Sequence, residues 1–253
     1  MPSFVTDALV LRTYALGETS KVVVLLTRER GKQRAVARGA RGSRSRYQSA
    51  LEPLSEVRVS LSGRQAAELL TLGQCELVRS AFRLGERGID ATLAASYFVE
   101  LLDAFAQEGE AEDAVYRLAL AVIAATGAGV SPELLERYLE AWLLRLHGLY
   151  PQLDRCASCA LPLPAGERRY HASARGFICA GCGYASGPVL PDAARGFLFE
   201  LFRTPPHALC GACPEPALVR TFQQDLIERH LERPLRSERV RRGVTRTIAG
   251  MNP

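Results

Sequence analysis

Between Phe4 and Val78 the apolar positions recur with the period of a strand, and beyond Ser80 with the period of a helix. Phe4–Tyr14 alternates, and Ala15-Leu16-Gly17-Glu18 turns into a second apolar run, Thr19–Leu26. Its core, Val22-Val23-Val24-Leu25-Leu26, is short and β-branched, which suits a buried strand better than a helix. Glu29-Arg30-Gly31-Lys32 is the next turn signal. After it Gln33, Ala35 and Ala37 alternate with Arg34, Val36 and Arg38, as in a strand with one wet face. Ala50–Leu61 reads as a fourth strand, with Val57, Val59 and Leu61 on one face. Glu68–Val78 reads as a fifth, after the turn Ser62-Gly63-Arg64. Five short strands predict a small antiparallel barrel. An OB-fold is the natural member of that class, and an SH3-like barrel satisfies the same pattern.

Further along, Ile89–Gln107 places Leu93, Tyr97, Leu101, Leu102 and Phe105 on one helical face. Glu112–Ala125 is a second helix, ended by Gly127 and Gly129. A third opens at Ser131-Pro132-Glu133, with Ser131 as N-cap and Pro132 at the first helical position, and runs to Leu146. Asp192–Phe202 and Pro216–Leu231 are two more. Their apolar stripes predict core packing and no cofactor, and Glu133, Glu136 and Glu140 are expected on a solvated face. The fold class is therefore multidomain α+β. A barrel domain occupies residues 1–80 and an α-helical domain residues 81–253, with a cysteine module inserted at about 154–187.

Composition is that of an ordinary globular protein, with 47% hydrophobic and 23% charged residues, so disorder is excluded. The net charge of +5 is unevenly spread. From Arg28 to Arg46 eight basic residues stand against the single acid Glu29, and Lys21 lies on the preceding strand. A two-stranded basic ribbon with a flexible basic loop can follow a phosphate backbone. The candidate nucleic-acid contacts are Lys21, Arg28, Arg30, Lys32, Arg34, Arg38, Arg41, Arg44 and Arg46. The competing reading is a solvated edge hairpin whose charge prevents aggregation. A second basic cluster in Leu231–Thr247 includes Arg239, Arg241 and Arg242, and is either a solvated tail or a further nucleic-acid contact. Tyr14 and Tyr47 are candidate stacking platforms, with packing an equal alternative for each.

Six of the seven cysteines fall in three C-x-x-C pairs. No charged-then-apolar leader and no long uncharged apolar run is present, so the expected location is the cytoplasm, with no membrane contact. In that setting paired cysteines point to metal. Cys156 and Cys159 are separated from Cys179 and Cys182 by 19 residues, the sequence form of a tetrahedral four-thiolate zinc site. Gly176, Gly181 and Gly183 are expected to supply the backbone angles such knuckles need. One structural Zn2+ is expected, coordinatively closed. The third pair, Cys210 and Cys213, could be a half-site, a redox pair or a competitor for a zinc knuckle. With no fourth pair to complete a second site, an accessory or vestigial pair is expected. No P-loop, Gly-x-Ser-x-Gly or Gly-x-Gly-x-x-Gly occurs, and the four histidines follow no triad or ligand spacing. The chain is therefore not expected to be an enzyme or to have a small-molecule substrate.

Several strings occur together in a recognisable order. They are Leu16-Gly17-Glu18-Thr19-Ser20, Leu26-Thr27-Arg28-Glu29-Arg30-Gly31-Lys32, Ala37-Arg38-Gly39-Ala40-Arg41, Gly148-Leu149-Tyr150-Pro151 and Arg233-Pro234-Leu235-Arg236-Ser237. In this order, around a four-cysteine finger, the chain resembles the bacterial recombination mediator family RecO. The resemblance implies an OB-fold that binds single- and double-stranded DNA and anneals complementary strands. It also implies RecR and the C-terminal tail of single-strand DNA-binding protein as partners, with RecA loaded indirectly, and a nucleoid-associated place in the cytoplasm. A zinc-ribbon RNA- or ribosome-binding factor using the same barrel is the alternative.

Overall fold

Strand β1 (Ser3–Leu16) is long enough to serve two neighbours. Its first half pairs with β4 (Glu56–Ser62) and its second half with β2 (Ser20–Thr27), with a register shift between Val10 and Arg12 where it changes partner. β2 continues antiparallel into β3 (Gly31–Ala37), and β4 into β5 (Leu70–Arg79). β3 and β5 then meet in parallel at Ala35↔Leu70 and Val36↔Thr71, closing the ring β1-β2-β3-β5-β4. The expected all-antiparallel barrel thus has one parallel seam. An odd number of strands cannot alternate in direction all the way round a closed ring.

This computed structural model describes residues 3–43, 45–63, 69–81, 88–166, 168–183 and 187–250, with backbone alone at 48, 49, 242 and 245–250. Val23, Leu25, Ala35, Ala37, Val57, Val59, Leu61 and Leu72 fill the barrel interior. Val24 and Leu26 are as deeply buried on the opposite face of β2. Burial on both faces is why Val22–Leu26 reads as a continuous apolar run rather than an alternation. The expected strand over Ala50–Leu61 begins only at Glu56. Residues 48–51 make a 3-10 turn, Pro53 has no N–H for a ladder, and Leu54 is left-handed at φ 65°. Glu68, the expected start of β5, lies outside the described residues. Tyr47 is a core residue, its hydroxyl donating to the Leu72 carbonyl at 2.9 Å, and is no stacking platform.

The chain forms two compact units, Met1–Gly127 with Leu235–Pro253, and Ala128–Pro234. Beside the barrel, the first holds helices α1 (Ile89–Phe105), α2 (Asp113–Gly127) and α6 (Arg236–Gly250). α1 buries Tyr97, Leu101, Leu102 and Phe105 as its stripe requires, and with them Glu100. The Glu100 carboxylate accepts from the backbone N–H of Arg236 (2.9 Å), that of Ser237 (2.7 Å) and the Ser237 hydroxyl (2.6 Å). It caps α6 from outside, satisfying first-turn donors with a negative charge at the positive end of the helix dipole. The segment that reads either as a solvated tail or as a nucleic-acid contact is therefore a helix docked on α1. Glu100→Ala is expected to cost about 2 kcal/mol and to open the α6 arginines to trypsin. An unchanged digestion pattern would remove the anchor.

The second unit is built on α3 (Pro132–Leu146), α4 (Asp192–Leu201) and α5 (Pro216–Leu231), with a three-stranded sheet ordered β7 (Gly176–Phe177), β6 (Arg168–His171), β8 (Val189–Leu190). Ser131 makes no side-chain capping bond; its carbonyl accepts from Leu135 N–H instead. Aromatic contacts run through the unit: edge-on from Trp142 to Phe202, Phe202 to Tyr150, Tyr150 to Phe222 and Phe222 to Tyr170, and tilted at 34° from Phe222 to Phe177 of the small sheet.

The acidic face expected on α3 is only partly wet. Glu133 is exposed, but Glu136 and Glu140 are 1% and 0% exposed, and Arg137 between them is 1% exposed. Arg137 Nη2 lies 2.7 Å from Glu140 Oε1 and 3.4 Å from Glu136 Oε2, while Arg220 of α5 reaches Glu136 at 3.9 Å. Gln223 of α5 donates to the Arg137 carbonyl at 3.1 Å. Opposite charges on the same face, matched by α5, allow the carboxylates to be buried where spacing alone suggested solvent.

Candidate nucleic-acid interface and metal centre

The basic residues of the β2–β3 region separate into two groups. At the Gly31 turn they are engaged by acids of their own unit. Arg28 Nε is 2.9 Å from Asp113 Oδ1, Arg34 Nη2 is 2.7 Å from Glu108 Oε1, and Lys32 Nζ donates to the Asp103 carbonyl at 2.7 Å. The hydrogen bond and charge of Asp113 hold the Arg28 guanidinium above its usual pKa. Arg30 stacks over the Phe4 ring, 3.7 Å from its centroid.

At the opposite end lie Lys21, Arg38, Arg41 and Arg46. Lys21 and Ala37 are register partners, so Lys21 sits beside Arg38 where β3 ends. Arg41 packs back on the β1–β2 turn, its N–H donating to the Thr19 carbonyl at 2.9 Å and its guanidinium to that of Gly17 at 2.5 Å. Arg46 lies over the Tyr47 ring at 4.9 Å. None of the four is ion-paired among the described residues. Arg44 lies outside them. Tyr14 is 52% exposed and lines a groove of about 560 Å3 between β1 and α1 with Arg12, Glu52, Ser96 and Val99.

On α6 the residues expected together are divided. Arg239 is exposed, whereas Arg241 turns inward, 3.8 Å from Glu238 and over the Tyr97 ring at 5.7 Å. The side chain of Arg242 lies outside the described residues.

The four cysteines of the finger converge. The Sγ atoms of Cys156, Cys159, Cys179 and Cys182 all lie within 4.8 Å of one another, and Cys159 and Cys179 are 3.7 Å apart. A tetrahedron with metal–sulfur bonds of about 2.3 Å has an edge of about 3.8 Å, so the donor set fits a metal ion. The β6–β7 hairpin brings the pairs together, helped by Ala157 N–H donating to the Phe177 carbonyl at 2.8 Å. Backbone N–H groups of Cys159 and Cys179 pull the Cys156 thiol down to about 6, while thiol neighbours, Cys179 first, push Cys182 up to about 12. Such a cluster holds negative charge only against a cation.

Glycine use in the finger differs from expectation. Gly183 has φ 136°, but Gly176 and Gly181 are not left-handed. At Gly176 the requirement is space, since a Cβ would collide with that of Ala157. Left-handed residues fall instead on Ala160 (φ 60°), just after the first knuckle, and on Arg175 (φ 49°) in the β6–β7 turn, which no composition rule would have picked.

Residues 1–81 match the family model described as "Recombination protein O N terminal", and residues 86–239 the one described as "Recombination protein O C terminal". The chain belongs to the RecO family. It is 35% identical over 234 residues to the DNA repair protein RecO of Koribacter versatilis, covering 91% of this chain and 94% of that one. With the RecO of Anaeromyxobacter sp. strain K it shares 37% over 237 residues, 91% and 92% of the two chains. With that of Geobacter metallireducens it shares 32% over 251 residues, 94% and 96%. Membership of RecO supports a role in DNA repair and recombination. Among the described residues no helix is long and apolar enough to cross a membrane.

Within this RecO-family chain Cys210 and Cys213 stand apart from the finger cluster; Cys210 is exposed and Cys213 buried, its thiol pushed up to about 11 chiefly by burial. The features that sequence reasoning missed are the acids opposite the hairpin and the Glu100 anchor. Both depend on partners roughly 70 to 140 residues away in the chain.

Proposed function

We propose that the protein is a non-enzymatic DNA-binding recombination mediator. It binds single- and double-stranded DNA, anneals complementary strands and, with RecR, helps load RecA onto strands coated by single-strand DNA-binding protein, whose C-terminal tail the helical domain engages. It works in the cytoplasm at the nucleoid. Residues 1–80 form the DNA-binding domain, an OB-fold in this reading, for which the five-stranded ring with its β3–β5 seam is the support. Residues 81–253 form the helical domain, and the finger takes one structural Zn2+ on its four thiols, with no position left for water.

The observation that supports the reading, beside RecO membership, is the cationic end of the barrel at Lys21, Arg38, Arg41 and Arg46, which has no ion pair among the described residues. Two polyanions repel, and a basic surface contacting both lowers that cost. Annealing of complementary strands coated with single-strand DNA-binding protein, followed by fluorescence without nucleotide, is expected to accelerate when the protein is added. No acceleration by folded protein, with RNA bound more tightly than DNA of equal length, would turn the reading toward an RNA-binding factor.

Lys21, Arg38 and Arg41, changed together to Ala, should lower the slope of log affinity against log salt for single-stranded DNA by about 2, from roughly 0.7 per phosphate contact. Folding should be little affected, because none of the three is paired with an acid among the described residues. An unchanged slope would move the DNA track elsewhere.

A further inference from the structure

The Gly31 turn is covered by the segment joining α1 to α2. Glu108 forms bridges with Gly31 and Lys32, Lys32 N–H donates to the Gln107 carbonyl at 2.8 Å, and Gly109 N–H donates to the Lys32 carbonyl at 3.3 Å. The approach is close enough that a Cβ on Gly31 would strike the carbonyl oxygens of Gln107 and Glu110. Residues 107–109 thus lie along the start of β3 like a short extra strand, within a stretch that carries Asp103, Glu108, Glu110, Glu112 and Asp113. Three of these acids reach the basic turn, Asp113 to Arg28, Glu108 to Arg34 and Asp103 to Lys32. Carboxylates from the end of α1 (Asp103), the strand-like link (Glu108) and the start of α2 (Asp113) thus stand against the cations of the turn as the phosphates of a nucleic-acid strand would.

We propose that the acidic segment 103–113 is a built-in competitor for DNA. It occupies the Gly31 end of the basic hairpin, so that a strand is held first at Lys21, Arg38, Arg41 and Arg46. Arg28 and Arg34 become available to phosphate when the segment gives way. The pairs Arg28–Asp113 and Arg34–Glu108 suit such an exchange, because all four side chains are about half exposed. Exposed pairs hold weakly and are screened by salt. Lys32, at 12% side-chain exposure, stays with Asp103 and keeps the segment's root in place. The inference rests on the DNA-binding reading above and adds a regulation to it.

The test is a variant carrying Glu108→Gln and Asp113→Asn in the full-length protein, titrated with a single-stranded oligonucleotide across a salt series. The changes release Arg28 and Arg34, and also Arg117, which Asp113 holds at 2.8 Å on α2. With the first two contacting phosphate, the log affinity–log salt slope should steepen by about 1.4 and affinity rise about 25-fold at 0.1 M salt, reckoned from equal affinity at 1 M. Adding Arg28→Ala and Arg34→Ala to that variant should abolish the gain, while the same two changes in the otherwise unaltered protein should do little. A gain that survives loss of both arginines reflects only the protein's overall charge and overturns the proposal. So does an unchanged slope in a variant that binds DNA as the unaltered protein does. No binding by either protein would instead overturn the DNA reading itself, and this inference with it.

Discussion

Replacing Cys156 and Cys159 together by Ser is expected to abolish the proposed zinc binding and dismantle the small sheet of the second unit. The two thiols hold half of a cluster whose Sγ atoms lie within 4.8 Å of one another. The strands it supports are short, two residues each in β7 and β8, with too little apolar area to stand alone. Structural zinc supplies an apparent stabilisation of about 10–16 kcal/mol in small fingers, as large as the whole net stability of a typical domain at about 5–15 kcal/mol. Damage should spread along the aromatic contacts, because Phe177 and Tyr170 pack on Phe222 of α5. Elemental analysis should find no zinc, and limited proteolysis should cut between 154 and 187 while the barrel stays protected. A double variant with full metal content and an unaltered digest would show that these thiols are not ligands.

The second large effect is expected at Arg137, whose side chain is 2% exposed between two buried carboxylates. Removing one partner of a buried pair leaves uncompensated charge, and Arg137→Leu should cost about 3–5 kcal/mol. In a chain of this size that corresponds to a fall in Tm of roughly 10 °C. Combining Arg137→Met with Glu136→Gln and Glu140→Gln removes the charge on both sides and should recover much of the loss, since the expense lies in the orphaned carboxylates. Calorimetry of the single and triple variants checks this. Equal melting of Arg137→Leu and the unaltered protein would mean that the cluster is hydrated in solution.

The contrast between these two sites explains what was legible in the sequence. Cys156, Cys159, Cys179 and Cys182 could be picked out because a metal site imposes a local spacing on one residue type. The strands could be read because burial on one or two faces leaves a short-range signature, as at Val23–Leu26 and at Ala35 and Ala37. The parallel seam was implicit in the strand count, since five directions cannot alternate around a ring. Glu136, Glu140 and Glu100 could not be read. Glu100 and Glu136 meet partners far along the chain, at Arg236, Ser237 and Arg220, while Glu140 is buried with its near neighbour Arg137. A charged residue at helical spacing looks the same in either setting. The basic hairpin was visible as a charge density, but its division into an occupied and an open end depends on acids roughly 70 to 85 residues away.

Glu100 also links the two ends of the chain in time. Its three donors come from Arg236 and Ser237, so the anchor cannot close until all of Ala128–Pro234 has left the ribosome. A nascent or prematurely ended polypeptide would carry a barrel and α1 whose docking face for α6 is bare, a surface that chaperones and proteases recognise. Synthesis as far as Ser237 is thereby recorded in the packing of the first unit, and a molecule cut short before it would keep its basic hairpin yet lack the α6 anchor.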